Sequence, residues 1–183
     1  MKTLIKLIVV ACFAGAAFTQ QPNQPPKPGS RASEVAVAVE ATVRDFEQAV
    51  QEYNFAKANS FLTPEGRWID GSLPGKLEEV DWPWFEKLKE AGVRMINQPH
   101  DFDTHVQGDV AWVTLSVDVT FSTDSAEAQT LLLQDSTVKE YCLSQATHVS
   151  CGGTAVESEV LVKTQSGWKI ALGHTSLLPK AQK

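Results

Sequence analysis

At 183 residues, with 43% hydrophobic and 21% charged side chains, the chain suits one globular core and excludes a collagen-like, low-complexity or multi-pass membrane protein. Sixteen Lys and Arg against 22 Asp and Glu give a net charge of −6, which argues against an extended basic face for nucleic-acid phosphates. Three Cys and four His without dense ligand spacing exclude a zinc ribbon or a disulfide-dense miniprotein.

Residues 1–20 read as an export signal: Lys2 and Lys6 precede an apolar stretch to Phe18, and Ala14, Ala16 and Ala17 offer a cleavage window. The stretch is short of the about 20 residues a membrane-spanning helix needs. The mature chain is therefore expected outside the cytoplasm, periplasmic or extracellular. Cys12, after Val9, Val10 and Ala11, resembles a bacterial lipoprotein box, and membrane anchoring is expected only if it is lipidated. The few apolar residues between Lys6 and Cys12 argue against that alternative. Residues 21–32 follow as a linker holding four of the nine prolines and no large apolar side chain, so they cannot bury enough surface to offset their ordering entropy.

Residues 33–180 form the expected domain. Ser33 is placed to cap a helix with Glu34 at its positive end. Val35, Val39, Val43, Phe46, Val50 and Tyr53 then recur every three or four residues, the stripe of a half-buried helix. Phe55 to Leu62 reads as a short second helix that stops before Pro64. Asp81 as cap, Pro83 in the first turn, the body WPWFEKLKEA and a terminating Gly92 predict a third helix.

Beyond Gly92 the period becomes alternating. Val93 to Ile96 and Phe102 to Val106 read as strand, and Gln107, Gly108 and Asp109 turn the chain into Val110 to Phe121. In that strand Ala111, Val113, Leu115, Val117, Val119 and Phe121 share one face, while Trp112 and Asp118 lie on the other. Ala155 to Thr164 and Trp168 to Leu178 form a closing hairpin, with Trp168, Ile170, Leu172, His174 and Ser176 on one side. Helices first and an antiparallel sheet afterwards is the α+β pattern, with N-terminal helices packed in the sheet.

The stretch FEQAVQEYNFAKANSFLTPEGRWIDG, the strand GDVAWVTLSVDVTF and the closing EVLVKTQSGWKIALGHTSLL resemble the SnoaL-like branch of the nuclear transport factor 2-like superfamily. The resemblance implies a cone: a strongly curved sheet wrapped round the long first helix, with a pocket at its open end and a homodimer through the sheet. That superfamily includes isomerases, cyclases, dehydratases and members that only bind, so the fold leaves function open.

Residues 122–153 depart from the family pattern as an insertion. Ser125 to Leu133 is a candidate helix and Thr137 to Leu143 a candidate strand. In an exported chain Cys142 and Cys151 are expected to form a disulfide, contributing roughly 2 to 3 kcal/mol by chain-entropy arguments.

By the same resemblance, Asp70 stands where ketosteroid isomerases carry their proton-abstracting aspartate. Those enzymes pair the base with a tyrosine and a protonated aspartate that stabilise the enolate oxygen. Here Phe46 takes the tyrosine's place and donates no hydrogen bond. His174 is a second candidate general base. Trp68, Trp82, Trp84 and Trp112, with Asp118, are candidate ligand-binding residues. In the run His100 to His105, Asp101, Asp103 and His105 alternate as metal ligands would, but no fourth ligand is specified, so neither metal nor cofactor is expected. Two readings stay open: a non-catalytic domain binding a small apolar molecule or a protein partner, and a cofactor-free lyase or isomerase acting on a small carbonyl or polyketide-like substrate with Asp70 or His174 as base.

Overall fold

The structure, a computed structural model, describes residues 31–70, 75–80, 82–135, 138–145 and 147–178. The export signal, Cys12, most of the linker and the expected cap Asp81 lie outside the described residues.

Helix α1 (Arg31–Gln51) starts two residues ahead of Ser33 and buries the stripe read from the sequence: Val39, Val43, Phe46, Val50 and, just beyond its end, Tyr53. Tyr53 donates its hydroxyl to the Val93 carbonyl at 3.1 Å, and burial pushes its pKa up to about 12. Helix α2 (Phe55–Ser60) is capped by Asn54, whose side chain accepts from the Lys57 amide. It ends sooner than expected, because the chain from Leu62 is strand β1 (Leu62–Asp70). Pro64 falls in β1 where the register with its neighbour shifts, and β1 is an edge strand, the place in a sheet where a missing N–H is tolerated. A short helix α3 (Leu77–Val80), not foreseen, precedes α4 (Trp82–Glu90). Gly92 follows α4 with φ 77°, the left-handed turn the sequence called for.

Strand β2 (Arg94–Gln107) is continuous where two shorter strands were expected, and it pairs antiparallel with β3 (Val110–Thr123). A bulge between His100 and Asp103, with Asp101 at φ 53°, bends it. Helix α5 (Ala126–Gln134), capped by Ser125, and a 3-10 turn at Lys139–Tyr141 lead to β4 (Cys142–Gln145). Strands β5 (His148–Thr164) and β6 (Gly167–Leu177) complete the sheet. Its order is β1-β6-β5-β3-β2, with β4 added on β5 and every pair antiparallel except β1 with β6. Cys142 and Cys151 face each other across β4 and β5 and are joined by a disulfide.

The apolar face of β3 turns inward as its alternation requires, burying Ala111, Val113, Leu115, Val117 and Phe121. The six-stranded sheet is curved and unclosed. Its concave face receives α1, which is tied to β2 by Arg44 over the Phe102 ring at 4.1 Å and by Arg44 donating to the Pro99 carbonyl. Among the described residues no helix is long and apolar enough to cross a membrane.

Candidate functional site

Between α1, α4, the concave face of the sheet and the insertion lies a cavity of about 430 Å³. Its walls are mostly aromatic and aliphatic, and the two sources are different parts of the chain. Trp82, Trp84 and Phe85 come from α4 because WPWF brings three rings into little more than one turn. Val138 and Tyr141 come from the insertion. The Tyr141 ring lies on Gly153, where an added Cβ would meet it at 3.0 Å, and its hydroxyl donates to the Leu178 carbonyl. The disulfide ties the strand that follows Tyr141 to β5, so the insertion forms part of the cavity wall.

Polar groups gather on one side. Glu47 of α1 and Glu157 of β5 line the cavity, and Glu159 stands next to them; one carboxylate oxygen from each lies within 4.8 Å of the other two. All three are buried. Asn97 of β2 donates its amide to Glu47 at 2.9 Å, and its backbone N–H donates to Gln51 at 2.8 Å. On the opposite flank the Trp68 indole donates to Thr175 at 2.9 Å, and Thr175 donates onward to Glu157 at 3.2 Å. Burial lifts Glu47 to about 7, opposed by the Asn97 hydrogen bond. Burial and the neighbouring carboxylates hold Glu157 well above the usual carboxylate range, and burial followed by Glu47 does the same to Glu159. Each carboxylate in the cluster thus holds its proton more tightly than an exposed one would. A buried carboxyl whose pKa lies near neutrality can accept and return a proton.

Of the residues named from the sequence, Trp68, Trp82 and Trp84 line the cavity. Trp82 stacks on Phe55 and donates to Asn59, while Trp84 meets Phe85 and Phe121 edge to face. Trp112 and Asp118 do not line it: both lie on the convex face, Trp112 stacked on His105 and Asp118 accepting from Thr154 at 2.6 Å. That hydrogen bond, with His100 nearby, keeps Asp118 below its usual range. His174 is absent from the cavity lining as well. Ala171 is an extra residue in β6, since Ile170 pairs with Leu161 and Leu172 with Val160. The bulge reverses the alternation, so Gly173, Thr175 and Leu177 take the inner face and His174 contacts Ser176 at 3.2 Å on the outer one. The backbone of Asp70 pairs in register with Thr175, and its side chain lies outside the described residues. The bulge in β2 also divides the His100 to His105 run: His100 contacts Asp101 and Asp118, whereas His105 contacts Asp103.

Sequence reasoning missed Glu47, Glu157, Glu159 and Thr175. Glu47 occupies the buried stripe of α1, four residues after Val43 and three before Val50, which is a readable signal. Glu157 and Glu159 alternate with Ala155 and Leu161, but Val156, Val160 and Val162 make the other face look like the inner one.

No protein-family model and no curated protein matches the chain. Solved structures do. One is a proposed dehydratase of the NTF2-like family from Streptomyces avermitilis, 18% identical, covering 80% of this chain and 98% of that one with a TM-score of 0.58. Another is a proposed ketosteroid isomerase from Shewanella frigidimarina, 18% identical, covering 78% and 97% with a TM-score of 0.53. A third is an NTF2-like protein with a cystatin-like fold from Novosphingobium aromaticivorans, 10% identical, covering 81% and 84% with a TM-score of 0.56. The resemblance seen in the sequence therefore holds at the level of architecture: the chain is an α+β domain whose cone fold is like that of these NTF2-like, cystatin-like structures.

Proposed function

We propose that this domain binds a small, largely apolar molecule inside the cone. The observation that carries the reading is the cavity itself: about 430 Å³, walled by Trp82, Trp84, Phe85, Phe121 and Tyr141, with a few convergent polar groups on one side. Tryptophan fluorescence tests it, since three of the five tryptophans line the space. Titration of the mature chain with 2-phenylethanol or propylbenzene is expected to give a saturable change that Trp84→Ala weakens. A linear, unsaturated response in both would sink the reading.

A second reading, a cofactor-free lyase or isomerase, is favoured by one observation: Glu47, lifted by burial to about 7, lines the cavity beside Glu157. In this version the base is Glu47 rather than His174. It requires a pH–rate profile whose essential ionisation near neutrality disappears in Glu47→Gln. Export of the chain belongs to the proposal too, supported by the Cys142–Cys151 disulfide, which is a bond of oxidising compartments. A homodimer through the convex sheet face is supported by exposed Ile96, Val110, Trp112 and Leu172.

A further inference from the structure

Resting on the reading of the cone as a binding pocket, we propose that its ligand is an organic cation, a primary amine on an apolar body whose ammonium group sits among Glu47, Glu157, Glu159 and Asn97. The argument is one of complementarity. The buried side-chain atoms left without a hydrogen-bond partner on this side of the cone are Asn97 Oδ1, Glu157 Oε2 and both carboxylate oxygens of Glu159. Every one is an oxygen. The donors nearby are already committed: Asn97 Nδ2 to Glu47, Thr175 Oγ1 to Glu157, Trp68 Nε1 to Thr175.

Charge points the same way. The titratable groups lining the space are Glu47 from α1, Glu157 from β5, and Asp135 and Tyr141 from the insertion, with a Glu159 oxygen within 4.8 Å of those of Glu47 and Glu157. No Lys, Arg or His lines the cavity among the described residues. Buried carboxyls normally have a basic partner or several hydrogen bonds, because an uncompensated one is costly. Glu159 is 1% exposed and has neither. An ammonium group brings three N–H donors and one positive charge, which answers both deficits at once. A divalent metal would answer the charge, yet the rest of the wall is aromatic and aliphatic rather than oxygen-bearing, and hard cations take six or more oxygen ligands. The rings of Trp82, Trp84 and Phe121 suit a hydrocarbon body, and aromatic faces also favour cations. Binding of the ammonium draws a proton from the carboxyl cluster into solvent, leaving a carboxylate against the ammonium.

The test is calorimetric titration of the mature chain with 2-phenylethylamine, its neutral isostere 2-phenylethanol, and Mg²⁺, Ca²⁺ and Zn²⁺ alone. The amine is expected to bind about tenfold or more tighter than the alcohol at neutral pH. Its binding heat should differ between phosphate and Tris in proportion to protons released. In Glu157→Gln/Glu159→Gln the ratio of amine to alcohol affinity should fall to about one; neutralising buried acids relieves desolvation, so the variant is expected to fold, and thermal unfolding checks it. The proton-release measurement needs no variant. Equal affinity for alcohol and amine, or a preference that survives the double substitution, overturns the cation proposal and leaves the pocket reading standing. A divalent ion that binds and excludes the amine overturns it in favour of metal. If neither organic probe binds, both readings fall.

Discussion

Glu47 on the first helix and Glu157 on the fifth strand meet at the wall of the cone with carboxylate oxygens within 4.8 Å, and burial raises the proton affinity of both. Two acids this close and this dry cannot both ionise cheaply, so they share protons that the unfolded chain would release.

Stability follows from that relationship. Glu47 titrates at about 7 in the folded chain against 4.5 as its ordinary value, so between those pH values the folded state binds more protons than the unfolded one. The contribution is complete below 4.5 and is lost as pH rises through 7, about 3 kcal/mol for this group. Glu157 and Glu159 shift in the same direction and extend the fall to higher pH. Urea unfolding should give a lower free energy at pH 8 than at pH 5, with a smaller difference in Glu47→Gln. Asp118, shifted the other way, acts only at more acid pH.

Gly173 is fixed by Trp68. A Cβ at this position would meet the indole ring at 2.2 Å, and Trp68 has Phe46 on its other contacts at 5.3 Å between ring centres. Gly173→Ala is expected to cost about 1 to 3 kcal/mol and to shift Trp68 away from Thr175. Denaturant unfolding reads the first effect and the tryptophan emission maximum the second. Unchanged values of both would mean that the ring has room to retreat.

The disulfide closes the loop that carries β4 beside β5. Cys142→Ser/Cys151→Ser should lower unfolding free energy by about 2 to 3 kcal/mol. Because Tyr141 adjoins Cys142 and lines the cavity, the same variant should weaken 2-phenylethanol binding. Dithiothreitol on the parent chain should reproduce both losses.

Substitution at the outer residues separates them from the cavity. His174→Gln should leave 2-phenylethanol affinity within twofold, a change of about 0.4 kcal/mol, whereas Trp84→Ala should weaken it about tenfold. A tenfold loss in His174→Gln would show that the outer face reports on the pocket.

The proposed dimer is checked by sedimentation of the mature chain. Association at high micromolar concentration is expected, and Trp112→Glu, which puts a charge on the convex face, should abolish it. A strictly monomeric parent chain rules the dimer out.

The sequence by itself determined the helices α1, α2 and α4 ahead of the antiparallel strands, though not β1 or α3, and with them the buried stripe from Val39 to Tyr53, the inner face of β3, the turn at Gly92 and the pairing of Cys142 with Cys151. Each is carried by a local period or by a covalent choice that few alternatives compete with. Tertiary structure alone decided which face of β6 looks inward, because one extra residue at Ala171 reverses the alternation that placed His174 beside Ile170. It also decided the chemistry of the cone. Glu47, Glu157 and Glu159 read singly as surface charges, since acidic side chains are seldom buried. Only the wrapping of the curved sheet round α1 brings them together, and the same burial that makes the cluster costly is what raises their affinity for protons.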